Sequence, residues 1–128
     1  MEFKFEIDAT VEKQFKVSND VYDGFIRLFQ DRNPLHTNQA FAVGKGFRSV
    51  VMHGNILNGF LSYFIGEALP VKNVMIYSQE INYKRLVYLN DRLTLKAIVD
   101  EVHESVNVVM FKFSFVNQSD EIVAKGTI

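Results

Sequence analysis

The chain has 128 residues and a net charge of −1, from 14 basic and 15 acidic side chains. A chain of this length makes one ordinary domain, and its near-neutral charge would not attract the phosphate backbone of a nucleic acid. It has no cysteine, which excludes disulfides, thiolate nucleophiles and cysteine-bound metals. The amino-terminal segment lacks the apolar core of a signal peptide, and no apolar run is long enough to cross a bilayer. We therefore expect one cytoplasmic domain, residues 1–128, without nucleic-acid or membrane partners.

The chain starts with a strand pattern followed by a helix signal. Apolar side chains at positions 3, 5, 7 and 9 alternate with charged ones, which predicts a half-buried strand that resumes at Phe15 and Val17 after a polar break. The residues Ser18-Asn19-Asp20 then offer helix N-caps. Behind them, apolar residues at positions 21, 25, 26, 28 and 29 predict a short amphipathic helix.

The next segment, QDRNPLH at residues 30–36, gathers a carboxylate, an amide and an imidazole around one proline. Pro34 disfavours a helical conformation at Asn33, so the chain bends there. Such a bend can aim Asp31 and His36 at a common pocket, where they would form an acid–base pair, because histidine can accept or return a proton near neutral pH. Taken alone, D-R-N-P is more typical of a simple turn. Beyond it, a polar cap at Thr37 or Asn38 predicts one or two helical turns over residues 39–43.

The strongest helix pattern is HGNILNGFLSYFIGEALP, residues 53–70. Its apolar residues recur in pairs three to four positions apart, and Pro70 marks its end. Gly59 and Gly66 lie inside it, and each costs about 1 kcal/mol of helix propensity relative to alanine. We therefore expect neighbouring backbone to approach closely at these glycines, as in a helix that is wrapped by a sheet.

The remainder of the chain predicts strands. Apolar residues alternate over residues 93–99 and 111–115, and positions 122, 124 and 128 close the set. Turn residues at Asn90-Asp91 and at 118–120 favour antiparallel pairing. A long buried helix with about five antiparallel strands predicts an α+β hot-dog fold, in which a curled antiparallel sheet surrounds a long central helix.

These motifs resemble those of the MaoC-like hydratases and dehydratases, a family that includes (R)-specific enoyl-CoA hydratases. QDRNPLH is similar to the family signature D-x-N-P-x-H, and VVMHGNIL is similar to V-x-H-G-[ML]-L at the start of the hot-dog helix. YKRLVYLNDRLTL resembles the strand–turn–strand pattern F-x-x-P-V-x-x-G-D-x-L. The strong likeness covers about residues 25 to 70. The combination of D-x-N-P-x-H with a downstream H-G is specific, whereas either piece alone is a weak signal.

The resemblance implies a catalytic pair and a charge-stabilising group. Asp31 and His36 would hold and activate the water that adds across the double bond of an enoyl thioester. The backbone N–H of Gly54 would stabilise the enolate-like thioester carbonyl, a role that suits an unpaired donor at a helix start.

Three further residues are assigned to substrate binding, namely Asn33, His53 and Asn55, with His53 expected to orient the loop. The substrate would be an acyl-CoA or acyl-ACP thioester, so that coenzyme A or phosphopantetheine enters as part of the substrate. No separate cofactor is expected, and no metal, because the three histidines lack ligand spacing. The resemblance also implies a homodimer or higher homo-oligomer, since the family's acyl tunnel runs along a subunit interface.

The sequence departs from the family pattern at several positions. Gln30 and Asn90 stand where glycine is usual, and Gly59 stands where many members have a serine. Three functions therefore stay open: a hydratase or dehydratase, a thioesterase whose water attacks C1 rather than C3, and a non-catalytic acyl-binding subunit. Scattered basic residues could meet the phosphates of coenzyme A, although such residues usually form a solvated surface; they are Lys45, Arg48, Lys72, Lys84 and Arg85.

Overall fold

The computed structural model describes residues 4–128, which form an antiparallel sheet curled around one long helix. A π-helical turn at Phe64–Ala68 extends that helix, and a 3-10 turn at Glu104–Val106 joins two strands. In chain order the elements are β1 (Thr10–Lys16), α1 (Asn19–Phe29), α2 (Pro34–Thr37), α3 (Gln39–Gly44), α4 (Asn55–Tyr63), β2 (Glu80–Tyr83), β3 (Arg92–His103), β4 (Val108–Val116) and β5 (Ile122–Thr127).

The sheet has five strands in the order β1-β3-β4-β5-β2, and every neighbouring pair is antiparallel. Strands β3, β4 and β5 are consecutive along the chain and lie side by side, which places β1 and β2 at the two edges. Asn90 has φ +71° at the predicted turn before β3, a left-handed conformation that asparagine tolerates better than most residues. The predicted turn between β4 and β5 is likewise present at residues 118–120.

The core lies between α4 and the concave face of the sheet. Leu57, Leu61 and Phe64 are essentially inaccessible to solvent on the helix side. On the sheet side, the alternating residues of β3 and β4 are buried as their pattern predicted, and opposite residues such as Leu95 and Phe115 pair across the two strands. Each fully buried side chain of this size stabilises the fold by about 1.5–3 kcal/mol. This core holds the start of α4 in a fixed position. Within residues 4–128, no helix has the length and apolar content that a membrane span requires.

The predicted first strand is placed too early. Position 3 lies outside the described residues, and residues 4–9 form no strand. A turn precedes the strand instead, because Asp8 is left-handed at φ +70° and the Ala9 N–H donates to the Glu6 carbonyl at 3.1 Å. The strand begins at Thr10, so the predicted polar break is part of β1. An edge strand accommodates such residues, since its outer side chains face water.

The expectation of close backbone approach at Gly59 and Gly66 is also wrong. A Cβ added at either position would meet no described heavy atom within 4 Å. Neighbouring backbone approaches closely at Gly126 in β5 instead, where an added Cβ would lie 1.8 Å from the Glu80 carbonyl oxygen, and at Gly54 an added Cβ would lie 3.1 Å from the Tyr83 ring. In β5 the buried residues are Val123 and Ala124, whereas Ile122 is 45% exposed, because the β4–β5 register shifts at this end of the pairing.

Candidate active site

Asp31 lies at the surface, two residues after the end of helix α1. Its start is fixed by Ser18, whose Oγ accepts a hydrogen bond from the Val21 N–H at 3.2 Å, as the sequence predicted. Its end is fixed by Gln30, which adopts φ +59° and ψ +22° while its N–H donates to the Ile26 carbonyl. Gln30 thus adopts the left-handed conformation that glycine favours, at a cost of about 1–2 kcal/mol. Asp31 follows this turn directly and is exposed.

The bend at Asn33-Pro34 separates Asp31 from His36. Asn33 has φ −49° and ψ +131°, which is not helical, and its Oδ1 accepts from the Leu35 N–H at 3.0 Å, which caps α2 at Pro34. The Asn33 N–H in turn donates to Asp31 Oδ1 at 3.2 Å. The turn interpretation of this motif is therefore correct as local structure. The side-chain oxygen of Asn33 is used within the protein, and its assignment to substrate binding stays a prediction.

His36 is held in one orientation by hydrogen bonds to its ring and its backbone. Its Nδ1 lies 2.6 Å from the Val51 carbonyl oxygen, and the Tyr22 hydroxyl donates to the His36 carbonyl. Because a carbonyl can only accept, Nδ1 carries the hydrogen of the neutral ring and Nε2 keeps a free lone pair. His36 is half-buried, and its Nε2 can act as a proton acceptor.

His53 lies between the two members of the pair and is 2% exposed. Its Nε2 donates to the Asp31 carbonyl at 2.9 Å, and its ring centroid lies 4.0 Å from that of His36 and 4.6 Å from that of Phe25. Burial lowers the pKa of His53 below the usual value for histidine, although the bond to Asp31 opposes this in part. His53 is therefore neutral at neutral pH. It offers almost no surface to a substrate, and its assignment to substrate binding stays a prediction.

The three side chains converge. One potential ligand atom each of Asp31, His36 and His53 lies within 4.8 Å of the other two. A single water can bridge groups at such separations, which suits proton transfer. Two imidazoles and a carboxylate are also a donor set that divalent metals accept. The arrangement therefore suits two kinds of site, one in which a bound water is deprotonated and one in which a divalent metal is bound.

Gly54 supplies a backbone donor at the start of α4. It is exposed, and its N–H has no acceptor among residues 4–128. An unpaired N–H at a helix start is backed by the helix dipole, so it can stabilise a developing negative charge. The neighbouring Asn55 is the first residue of α4 and is exposed as well.

A row of hydrogen-bonded polar side chains flanks Gly54. The sequence pattern did not reveal it. Asn58 donates to Asn55 Oδ1 at 2.6 Å and accepts from Gln79 Nε2 at 2.6 Å. Asn58 Nδ2 also reaches the Tyr83 hydroxyl at 3.5 Å, and partial burial raises the pKa of Tyr83, which therefore stays protonated. The spacing of Asn55 and Asn58 by one helical turn was a usable signal. Gln79 and Tyr83 lie more than twenty positions away, and no local pattern connects them to the helix.

The structure separates the five basic residues considered for phosphate binding. Lys72 Nζ lies 3.6 Å from Glu67 Oε2, and Lys45 Nζ lies over the Phe41 ring. The other three line one surface depression, where Arg85 pairs with Glu121 at 3.1 Å; they are Arg48, Lys84 and Arg85. No single basic surface collects all five.

Residues 2–118 match the protein family described as MaoC like domain. The chain belongs to this family. It is 28% identical to the (R)-specific enoyl-CoA hydratase of Aeromonas caviae over 102 residues, which cover 80% of this chain and 76% of that protein. It is 29% identical to the 3-hydroxybutyryl-CoA dehydratase of Methylorubrum extorquens over 97 residues, which cover 76% of this chain. Because that match covers 62% of the dehydratase, the MaoC-like chain spans less than two thirds of that relative.

Solved structures confirm the fold of this MaoC-like chain. The (R)-hydratase of Aeromonas caviae superposes with a TM-score of 0.88 at 24% identity, covering 96% of this chain and 93% of that one. The (R)-hydratase PhaJ1 of Pseudomonas aeruginosa superposes with a TM-score of 0.87 at 25% identity, covering 96% and 79%. The predicted hot-dog fold and the family resemblance are both confirmed.

The left-handed Gln30 generates a stability prediction. Replacing Gln30→Gly removes a strained Cβ, although glycine gives the unfolded chain more freedom, so the free energy of unfolding should rise by about 0.5–1 kcal/mol. Urea unfolding measures it. The matched control is Arg27→Gly in the last turn of α1, which should lower stability by about 1 kcal/mol. An equal decrease in the free energy of unfolding for Gln30→Gly and Arg27→Gly would show that Gln30 is not strained.

The buried His53 generates a pH prediction. Above about pH 6.5 its ring is neutral in both the folded and unfolded states. Below that pH His53 binds a proton more readily in the unfolded chain than in the folded chain, where its pKa is lowered. The free energy of unfolding should therefore fall as pH drops from 7 to 5. The His53→Gln variant should lose stability less steeply over this range in urea unfolding. His103→Gln, at an exposed position, is the control, and an unchanged slope in His53→Gln would contradict the prediction.

Proposed function

We propose that the protein is a hydro-lyase that reversibly adds water to a trans-2-enoyl thioester and forms the (R)-3-hydroxyacyl thioester. The observation that carries this proposal is the convergence of the Asp31 carboxylate and the His36 imidazole within 4.8 Å, in a member of the MaoC-like family. The relatives named above are a hydratase and a dehydratase of acyl-CoA thioesters. They support the hydratase or dehydratase prediction over a thioesterase.

The proton transfer follows from the orientation of His36. With Nδ1–H held by the Val51 carbonyl, Nε2 accepts the proton of a bound water as the water oxygen bonds to C3. Asp31 orients the water by accepting a hydrogen bond from its second hydrogen, which stays on the oxygen and becomes part of the C3 hydroxyl. The proton taken up by His36 Nε2 is then delivered to C2, so that the elements of one water are added across the double bond. Dehydration runs the same steps in reverse.

The charge that moves onto the thioester oxygen needs a donor. Gly54 is exposed and caps the start of α4, and its N–H has no acceptor among the described residues, so it can donate to that oxygen when the carbonyl becomes enolate-like. The buried core beneath α4 holds this donor in place. Such preorganised donors typically contribute about 3–4 kcal/mol to a transition state.

The carrier of the acyl group is coenzyme A or acyl carrier protein. Both present the acyl chain as a thioester of phosphopantetheine, and the chemistry at Asp31 and His36 is the same for either. Location in the cytoplasm and a single domain over residues 1–128 stay predictions.

A homodimer or larger assembly fits the sheet edge at β2. The segment before this strand exposes apolar side chains, with Met75 at 90% and Tyr77 at 87%, and Tyr83 on β2 itself is 48% exposed. An open edge strand beside exposed apolar residues favours pairing with a second chain. We place the subunit contact at this edge.

The acid–base pair generates the central mutational prediction. Asp31→Asn keeps an acceptor for the Asn33 N–H, and His36→Asn places an amide donor where Nδ1 faces Val51, so both folds should be preserved. Each variant should slow hydration by about 10²–10⁴-fold, because His36→Asn removes the proton acceptor and Asp31→Asn removes the carboxylate that orients the water. The double variant should be far less than multiplicatively slower, since both groups act on one water. The measurements are the initial rate with crotonyl-CoA and the melting temperature.

The turn interpretation makes the opposite forecast for these variants. If the motif serves only the fold, Asp31→Asn should lower the melting temperature and His36→Asn should leave the rate unchanged. Full hydration activity in His36→Asn would remove the imidazole from the mechanism. His103→Gln serves as a control for the loss of an exposed imidazole.

The donor set of the site generates a metal prediction. The reaction needs no metal, so a chelator should leave the hydration rate unchanged. Added zinc should inhibit the enzyme reversibly, because it competes for the lone pairs that bind water and protons at Asp31 and His36. Loss of activity with the chelator and recovery with zinc would show that the ion takes part in catalysis.

The β2 edge generates an assembly prediction. Light scattering should show at least a dimer at micromolar concentration. Met75→Asp should shift the assembly toward monomer, because it places a charge in the apolar contact. Val106→Asp, at a 66% exposed residue in the turn after β3, should have no such effect. A stable wild-type monomer under these conditions would sink the proposal.

A further inference from the structure

His53 is a buried imidazole that the mechanism above does not use. It is 2% exposed, and it lies in contact with both members of the Asp31–His36 pair. A buried side chain in this position could serve only to fill space. The hydrogen bonds of the ring argue for a more specific role.

The first argument concerns which ring nitrogen carries the hydrogen. Nε2 lies 2.9 Å from the Asp31 carbonyl oxygen, so it must be the donor in the neutral ring. Nδ1 is then an acceptor, and it is buried without a partner among the described residues. An unsatisfied buried polar atom costs about 1–3 kcal/mol. An apolar ring would pack here without that cost. The hydrogen bond from Nε2–H is therefore what a histidine provides at this position and an apolar ring does not.

The second argument concerns Asp31. Its side chain is exposed, and it follows the left-handed Gln30 at the end of α1. The bond from His53 ties the backbone of Asp31 to a residue 22 positions away, at the start of the core helix. The other hydrogen bond of Asp31, which its Oδ1 accepts from the Asn33 N–H, is local to the turn.

The third argument concerns His36. The two imidazole rings lie 4.0 Å apart with their planes 31° from parallel, so the face of His53 limits rotation of the His36 ring. The charged and titratable groups that face His53 are Asp31, His36 and the Tyr22 phenol. A neutral ring at this position lets His36 take up a proton without a second positive charge beside it.

We propose that His53 is a positioning residue for the proposed hydration reaction: its Nε2–H fixes the backbone of Asp31 and its ring fixes the plane of His36. This inference rests on the proposed function of the Asp31–His36 pair. His53 itself exchanges no proton with the substrate. The contribution is geometric, and displacement of a reacting group by about 1 Å can cost a factor of about 100 in rate.

Two substitutions separate the two contacts. His53→Phe keeps a ring against His36 but cannot donate to the Asp31 carbonyl. His53→Gln places an amide donor near the position of Nε2 but removes the ring. We expect His53→Phe to lower kcat by about 10- to 100-fold with little change in KM, and His53→Gln to recover part of that loss. Equal kcat in wild type and in a folded His53→Phe variant would overturn the proposal.

Imidazole nitrogen NMR provides a readout that needs no substrate. The wild-type protein should show His53 with its hydrogen on Nε2 and His36 as a single tautomer with its hydrogen on Nδ1. In His53→Gln, where the ring contact is lost, His36 should populate both tautomers. A hydrogen on Nδ1 of wild-type His53 would overturn the proposal, even if the variants fail to fold. If the wild-type protein does not hydrate enoyl thioesters, the proposed function fails, and this spectrum still decides whether His53 positions the pair.

Discussion

The site depends on the attachment of residues 31–36 to residues 51–53. The Val51 N–H donates to the Leu35 carbonyl at 3.0 Å, and the Val51 carbonyl accepts from His36 Nδ1. His53 then bonds to the Asp31 carbonyl. Hydrogen bonds alternate in direction between the two segments, so neither can slide along the other without losing several bonds at once. Asp31 and His36 are thereby fixed to the start of the core helix, although Asp31 lies on an exposed turn.

The rest of the fold makes that attachment rigid. Residues 51–53 are buried, and the Met52 N–H donates to the Val87 carbonyl at 2.8 Å, which links them to the turn before β3. Helix α4 follows at once and is buried against the sheet through Leu57, Leu61 and Phe64. The partly exposed residues Asp31 and His36 are therefore held by a buried segment, residues 51–53. This division explains how a short loop with a strained glutamine can hold the Asp31 carboxylate and the His36 imidazole at a defined separation.

The sequence predicted the elements whose signals are local. Ser18 caps α1 as expected, and the period-two patterns of β3 and β4 placed the buried residues correctly, because both signals depend on neighbours in the chain. The turn at Asn90-Asp91 was also predicted correctly, and Asn90 is left-handed within it at φ +71°. Asp31 and His36 were assigned from the resemblance of QDRNPLH and the downstream H-G to the family motifs, and in the structure a potential ligand atom of each lies within 4.8 Å of the other.

The failures share a different cause, which is contact between distant segments. The first strand starts later than predicted because a turn at Asp8 is tied to Val99 across the sheet. The space around Gly59 and the approach of Tyr83 to Gly54 depend on where other elements pack, which no window of sequence contains. The bond between His53 and Asp31 spans 22 residues for the same reason.

The central claim is that water adds to C3 of an enoyl thioester and does not attack C1. The most direct test incubates the wild-type protein with crotonyl-CoA and a longer enoyl-CoA while the conjugated enoyl absorbance and free thiol are followed together. Our account predicts that the absorbance falls to a reversible equilibrium and that no thiol is released. Thiol release in step with substrate loss, or no change in the enoyl absorbance with any chain length, would contradict it.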